Sequence, residues 1–274
     1  MTITSRRAVP YFLLVVLIFS SLLYLSFCPD DYYIYQQYAR NLSETGLPAF
    51  NPGEPSYGFT SPLWLGLLGL GFQPTHVHFF PKLLSLLLYG AAAGIFWLFS
   101  SRRFGFGAGI MGLLLLFLNP WVWRWSLSGM ETTAALLCAV LFLYTWTENR
   151  NWLWLPLGLL PLLRPELLAW TLAGAGLLAW RKQPARALLS VLPAAAWFVA
   201  ARLIFGQWFP NTAHAKAAGF SPAAAWNALE KTLLTLQPVD IAALVLALWT
   251  LAVFRRLEKP WRDMLFFSLI LVLL

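Results

Sequence analysis

The stretch Cys28-Pro29-Asp30-Asp31-Tyr32-Tyr33-Ile34-Tyr35 places two adjacent carboxylates directly after an apolar run, residues 11–27, that is long enough to cross a bilayer. The longest polar segment of the chain continues from these carboxylates to Pro62. Charged side chains at a membrane boundary need water, a partner or a function, because hydrocarbon is costly for them. The pair is therefore the first candidate for a functional site.

The composition is that of a membrane protein. Of 274 residues, 59% are hydrophobic and 11% are charged, against about 25% charged residues in soluble domains. Backbone groups in lipid must be satisfied within the chain, and the sequence lacks the alternating pattern of a membrane barrel. The predicted fold class is all-α, a polytopic helical membrane protein. Basic cytoplasmic loops account for the net charge of +8, so no nucleic-acid partner is predicted.

Apolar segments predict eight full crossings and a partial ninth that ends at Leu274. The eight are residues 11–27, 77–100, 104–118, 132–146, 152–163, 167–180, 188–205 and 241–254. The predicted inner segments hold twelve basic against three acidic residues, and the outer ones hold seven against eight. This asymmetry agrees with the positive-inside rule. A cleaved signal peptide is the alternative for the first segment, but no small-residue cleavage site follows it, which favours an uncleaved anchor.

The first outer loop, residues 28–62, is predicted to begin with an amphipathic helix from residue 30 to about 45. Pro29-Asp30 opens this helix and Gly46 stops it. Tyr35, Tyr38 and Leu42 share one face, as expected for a helix at the outer membrane–water boundary.

Residues 48–58 are rich in proline and glycine and predict a turn-rich connection. A second helix begins at Ser61-Pro62, and its apolar part, residues 63–72, is too short to span. It is therefore predicted to be re-entrant or interfacial. Residues 119–128 are predicted to be an outer loop, and 207–240 a second, polar outer segment.

Each candidate residue also has a purely structural interpretation. Asp30 and Asp31 can cap the amphipathic helix and interact with its dipole. Arg164 and Glu166 can form an ion pair that closes a helical hairpin, or Arg164 can face a phosphate. Glu131 can cap the helix that follows it.

No metal site is predicted. The outer residues His214 and Lys216 lack metal-ligand spacing, and His76 and His78 face apart on a helix. Cys28 and Cys138 are assigned no role beyond packing. Phosphate-cradling loops and nucleophile elbows are absent from the sequence.

Six ordered motifs resemble bacterial GT-C glycosyltransferases, and most closely the terminal arabinofuranosyltransferase group and its proteobacterial relatives. They are Asp30-Asp31-Tyr32-Tyr33-Ile34-Tyr35 with its continuation to Leu42, Phe50-Asn51-Pro52-Gly53-Glu54, Gly58-Phe59-Thr60-Ser61-Pro62-Leu63-Trp64, Ser128-Gly129-Met130-Glu131-Thr132, Leu163-Arg164-Pro165-Glu166 and Phe209-Pro210-Asn211-Thr212-Ala213-His214-Ala215-Lys216.

The resemblance implies an inverting transferase that moves a sugar, arabinofuranose or a related one, from a polyprenyl-phosphate donor to an envelope polysaccharide, lipopolysaccharide or glycolipid acceptor. It implies a location in the plasma membrane, with the site facing the periplasm or cell exterior. An Asp of the first outer loop is then the general base, Asp30 or Asp31, with Asp30 preferred. The implied substrate-binding residues are Tyr35, Arg40, Glu54, Thr60, Ser61, Glu131, Arg164, Glu166, Asn211, His214 and Lys216.

Among these, Arg164 and Lys216 are the candidates to stabilise the departing lipid phosphate. No cofactor is implied, and the need for a divalent metal stays open. We expect residues 1–274 to form one transmembrane domain that is incomplete at its C-terminus, since such enzymes are normally longer. The alternatives are a transporter or lipid flippase, although no repeat symmetry supports one, and a non-catalytic membrane subunit.

Overall fold

A computed structural model describes residues 22–117 and 119–212, together with positions 15, 16, 19, 226, 227 and 230. Between residues 30 and 205 the chain forms nine α-helices, two short 3-10 helices at Pro74–His76 and Pro165–Leu167, and one isolated bridge between Ala49 and Pro55. The α-helices are α1 (Asp30–Thr45), α2 (Pro62–Leu70), α3 (Phe79–Phe104), α4 (Phe106–Phe117), α5 (Pro120–Ser126), α6 (Thr132–Thr147), α7 (Trp154–Leu163), α8 (Leu168–Trp180) and α9 (Pro184–Phe205). The predicted all-helical class is confirmed for this part of the chain.

In the part of the chain that the structure describes, two helices, α3 with 26 residues and α9 with 22, are long and apolar enough to cross a membrane. A third candidate exists if α4 and α5, bent by 68° at their junction, form one span. Helices α6 and α7 are apolar but shorter, with 16 and 10 residues. The membrane character predicted from the sequence is thus supported by length and composition. The predicted crossings at 241–254 and in the C-terminal run lie outside the described residues, as does most of the one at 11–27.

Helix α1 has the bounds that the sequence predicts. It ends at Gly46, which takes the left-handed conformation with φ of 73° and donates its N–H to the carbonyl oxygen of Leu42. The structural alternative in which Asp30 caps the helix is wrong, because Pro29 occupies the cap position and no side chain makes a cap hydrogen bond there. Asp30 and Asp31 both lie in the first turn, where the positive end of the helix dipole favours carboxylates.

The segment predicted as an outer loop at 119–128 contains helix α5 instead. The Asn119 side chain accepts a hydrogen bond from the backbone N–H of Trp121 at 2.9 Å, and Pro120 occupies the first helical position. Both features favour a helix start. They explain why this short segment, which is rich in tryptophan, forms a helix.

The core lies where α1, α2 and α6 meet α7, α8 and α9. Its largest side chains, Tyr32, Trp64 and Phe142, are almost completely buried. Helix α7 packs closely on α9, since a methyl group on Gly158 would lie 2.8 Å from the carbonyl oxygen of Ser190. The turn after α7 also meets α9, where a cavity of about 120 Å³ is lined by Pro165 and Trp197 among others.

Candidate functional site

Arg164, in the turn after α7, forms an ion pair with Glu131, the residue that precedes α6. The distance from Arg164 Nη2 to Glu131 Oε1 is 3.2 Å. A second pair joins Arg164 Nη1 to Glu166 Oε1 at 2.9 Å. The Arg164–Glu166 pair that the sequence left as an alternative is therefore present, and Glu131 adds a partner from a distant part of the chain.

Glu131 is the most buried carboxylate of this cluster, with a relative exposure of 5%. It occupies the N-cap position of α6, as the structural interpretation predicted, but its side chain makes no cap hydrogen bond. Burial raises the pKa of Glu131; the charge of Arg164 lowers it, and Glu166 and Asp31 raise it further. Its Oε2 atom is buried without a hydrogen-bond partner among the described residues, which leaves one oxygen for a proton or a ligand.

Asp31, rather than Asp30, is the acid of α1 that acts on this cluster. Among the charges that shift the pKa of Glu131, the first turn of α1 contributes Asp31. Asp31 also lies one helical turn before Tyr35, on the same face. Asp31 is solvent-exposed, so its carboxylate is accessible to a substrate, and its charge reaches the Glu131 carboxyl.

Tyr35 connects α1 to the start of α2. Its hydroxyl accepts hydrogen bonds from the backbone N–H groups of Thr60 at 3.2 Å and Ser61 at 2.9 Å. Burial raises the pKa of Tyr35, and the charge of Glu131 adds to this. Ser61 in turn donates its hydroxyl to the carbonyl oxygen of Leu163. The three chain segments that carry Asp31, Ser61 and Arg164 are thus joined by hydrogen bonds.

Hydrogen bonds and ion pairs thus connect the segments that carry six of the predicted site residues: Tyr35, Thr60, Ser61, Glu131, Arg164 and Glu166. Three other predicted residues do not join them through any contact in the described part. Arg40 pairs with Glu44 at 3.0 Å on the exposed side of α1, and Glu54 lies in the exposed turn after residue 50. Asn211 contacts the loop through its backbone N–H, which donates to the carbonyl oxygen of Tyr57 at 2.8 Å. His214 and Lys216 lie outside the described residues.

Lys82 is not among the residues predicted from the sequence. It is only 8% exposed, and its ammonium donates to the carbonyl oxygens of Phe27 and Leu127, each at 3.0 Å. Its neighbour His78 contacts the Tyr32 hydroxyl through Nδ1 at 2.9 Å. A lysine within an apolar segment of membrane-spanning length is a recognised sign of function, so the sequence contained a signal for it.

The arrangement brings an accessible carboxylate, a buried carboxyl group and a guanidinium to the ends of apolar helices. In this arrangement, Asp31 can accept a proton and Arg164 can bind an anion. Within the described part, no group of three or more His, Cys, Asp or Glu residues has the arrangement of a metal site. No family model, curated protein or solved structure matches this chain.

Proposed function

We propose that the chain is an inverting membrane glycosyltransferase that uses a polyprenyl-phosphate sugar donor. One observation carries the proposal: the Glu131–Arg164 ion pair lies at the ends of apolar helices, and the exposed Asp31 is close enough for its charge to act on Glu131. A transfer of this kind needs a base for the acceptor and a cation for the phosphate leaving group, and the lipid part of the donor needs a membrane. The sugar is arabinofuranose or a related one.

In the proposed reaction, Asp31 removes the proton from an acceptor hydroxyl as its oxygen attacks the anomeric carbon of the sugar. The bond from that carbon to the phosphate oxygen breaks, and its electron pair stays on the lipid phosphate. Attack opposite the leaving group inverts the anomeric configuration. Asp30, which the sequence favoured, is the alternative base, and Asp31 is preferred because it acts on the Glu131 carboxyl.

Arg164 is proposed to bind the departing phosphate. Its two present partners differ: the Glu166 side chain is 60% exposed and the Glu131 side chain 7%. Exposed ion pairs contribute little, so a phosphate displaces Glu166 at small cost while Glu131 continues to hold the guanidinium in place. Arginine suits this role because its planar fork matches phosphate oxygens.

The proposal also includes a fold, a location and an acceptor class. The GT-C architecture, the eight crossings with a partial ninth and the outward orientation in the plasma membrane belong to it, as does the envelope acceptor, a polysaccharide, lipopolysaccharide or glycolipid. Lys216 is proposed as a second cation for the lipid phosphate.

The test is a transfer assay with the full chain in lipid nanodiscs. Radiolabelled polyprenyl-phosphate sugars are supplied with envelope glycan fractions as acceptors, and both labelled product and free polyprenyl phosphate are measured. We expect product from the wild type and none from the variant that carries both Asp30→Asn and Asp31→Asn. Intact donor with all sugars and acceptors would overturn the proposal, and movement of donor across a bilayer without its cleavage would indicate a flippase.

A further inference from the structure

Lys82, in the first turn of α3, is a buried cation that has no counter-ion within the described part of the chain. Its two hydrogen bonds go to the backbone carbonyls of Phe27 and Leu127, which are dipoles and not charges. Among the described residues, no carboxylate forms an ion pair with it. An ammonium group has three donors, so one remains. Buried charges are normally paired, which makes an anion the missing component.

An apolar pocket of about 550 Å³ adjoins Lys82. Its walls include Leu25, Phe79, Leu83 and Leu86, and its polar lining includes Tyr33 and His78 beside Lys82. Phe79 and Leu83 are exposed on the outside of α3, a helix of membrane-spanning length. The pocket therefore opens where a membrane would surround the chain, with one cation at an apolar wall.

The chemistry of this pocket fits a lipid with a phosphate headgroup. The phosphate would receive the third N–H of Lys82 in a charge-assisted hydrogen bond, close to the positive end of the α3 dipole. The hydrocarbon chain would cover Leu83 and Leu86.

The pocket is separate from the proposed transfer site. None of Asp30, Asp31, Glu131 and Arg164 is among its described lining residues. Tyr32 stands between the two, since its hydroxyl contacts His78 and its ring lies against Gly129, where a methyl group would be 2.5 Å from the ring. Tyr33, one helical turn after Asp30, does line the pocket, but Tyr32 lies between His78 and Gly129, two residues before Glu131, so the reacting donor is not the occupant that we infer.

We propose that the pocket between residues 22–28 and α3 binds one anionic glycerophospholipid of the surrounding membrane, with its phosphate on Lys82. The lipid completes the charge balance of Lys82 and occupies the space between this segment and α3. This proposal does not depend on the transferase activity.

The test is native mass spectrometry of the full chain, delipidated in detergent and titrated with dioleoylphosphatidylglycerol or with dioleoylglycerol, which lacks the phosphate. We expect one phosphatidylglycerol molecule to bind the wild type, and dioleoylglycerol not to compete. For Lys82→Met we expect affinity to fall about tenfold to hundredfold, as for the loss of a hydrogen bond to a charged group. Lys182→Met, which changes an exposed lysine, is the matched control and should bind like the wild type.

A second variant separates lipid loss from misfolding. Leu86→Trp fills the pocket and keeps Lys82, so it should also lose the lipid. Equal binding of phosphatidylglycerol by Lys82→Met and wild type would overturn the proposal, as would effective competition by dioleoylglycerol on the wild type. The last titration uses undecaprenyl phosphate, whose binding to Lys82→Met should equal its binding to the wild type. If Lys82→Met lost undecaprenyl phosphate selectively, the assignment to a phospholipid would be overturned.

Discussion

The guanidinium of Arg164 lies 3.2 Å from the carboxylate of Glu131, and the two side chains differ in their access to water, with exposures of 39% and 7%. The loss of Arg164 leaves a buried carboxylate unpaired, whereas the loss of the Glu131 charge leaves a guanidinium that water and Glu166 still solvate. The contributions of the two partners to stability are therefore unequal.

We expect Arg164→Gln to lower the free energy of unfolding by about 2 kcal/mol or more. Breaking a fully buried pair costs roughly 3–5 kcal/mol, and the partial exposure of Arg164 reduces this. Glu131→Gln should cost less than Arg164→Gln. Unfolding in mixed micelles, followed by circular dichroism, measures both values.

Two further variants complete this comparison. Glu166→Gln, which removes only the exposed partner, should change stability by less than about 0.5 kcal/mol. When Glu131→Gln is already present, Arg164→Gln should lower the free energy of unfolding by less than it does in the wild type, because no buried carboxylate is then left unpaired. Equal costs for Arg164→Gln with and without Glu131 would contradict the role of the buried carboxylate.

Stability should depend on pH through Glu131. Burial raises the pKa of this carboxyl in the folded protein above its ordinary value of 4.5, so the folded state binds more protons than the unfolded state above that pH. Stability from this group is thus complete below pH 4.5 and is lost as pH rises through the folded pKa. We expect the unfolding midpoint of the wild type to fall over this window. Glu131→Gln should have a flatter profile, and an identical slope in both proteins would exclude Glu131 as the source.

Tyr35→Phe should destabilise the protein by about 1–3 kcal/mol, because it leaves the backbone N–H groups of Thr60 and Ser61 without their acceptor. The matched control is Tyr33→Phe, which changes an exposed tyrosine two residues earlier and should have little effect. The melting temperatures of the two variants, measured in the same detergent, are compared with that of the wild type. A similar melting temperature for both variants would show that the Tyr35 hydroxyl does not join α1 to α2.

Gly158→Ala should destabilise the contact between α7 and α9. The added methyl group would lie 2.8 Å from the Ser190 carbonyl oxygen and 3.0 Å from Pro193, and such overpacking costs about 1–3 kcal/mol. Gly176→Ala in α8 meets no atom within 4 Å and should stabilise the helix by about 0.5–1 kcal/mol. Thermal unfolding should therefore shift in opposite directions, and a stabilising Gly158→Ala would refute the close packing.

Asp31→Asn should lower the rate of sugar transfer by about 10²–10⁴-fold, the usual contribution of a general base. Asp30→Asn should lower it much less, since Asp31 is the residue that acts on Glu131. Initial rates at saturating donor measure both effects, and membrane insertion of each variant serves as the control. The reverse order of effects would assign the base to Asp30.

Helix bounds were predictable where local chemistry determines them. Helix α1 runs from its acidic first turn to the left-handed Gly46 as predicted, and Ser61-Pro62 begins α2. The α5 helix was missed because its seven residues read as a boundary loop rich in tryptophan. Its start is marked by Pro120 and by a hydrogen bond from the backbone N–H of Trp121 to the Asn119 side chain, which composition does not reveal.

The sequence proposes which residues form the candidate site but does not reveal which contacts they make. The motifs indicated Asp31, Glu131 and Arg164, but a motif does not show which partner a charge will have. Glu131 reads as a helix cap in the sequence, and in the fold it pairs with Arg164, 3.2 Å away. Lys82 shows the same limit, since its partners are backbone carbonyls, which every residue possesses.

The short α7 helix determines how deep the Arg164 turn lies. Its ten residues rise only about 15 Å, whereas the 22 residues of the neighbouring α9 rise about 33 Å. The turn at Pro165 shares a cavity with Trp197, eight residues and therefore about 12 Å before the end of α9 at Phe205. The same cavity is also lined by Phe209 and Pro210, which follow α9, so the turn that carries Arg164 lies against the last turns of α9 and the segment after it. Under the proposed function, a change in that segment would alter the access of an acceptor to Arg164.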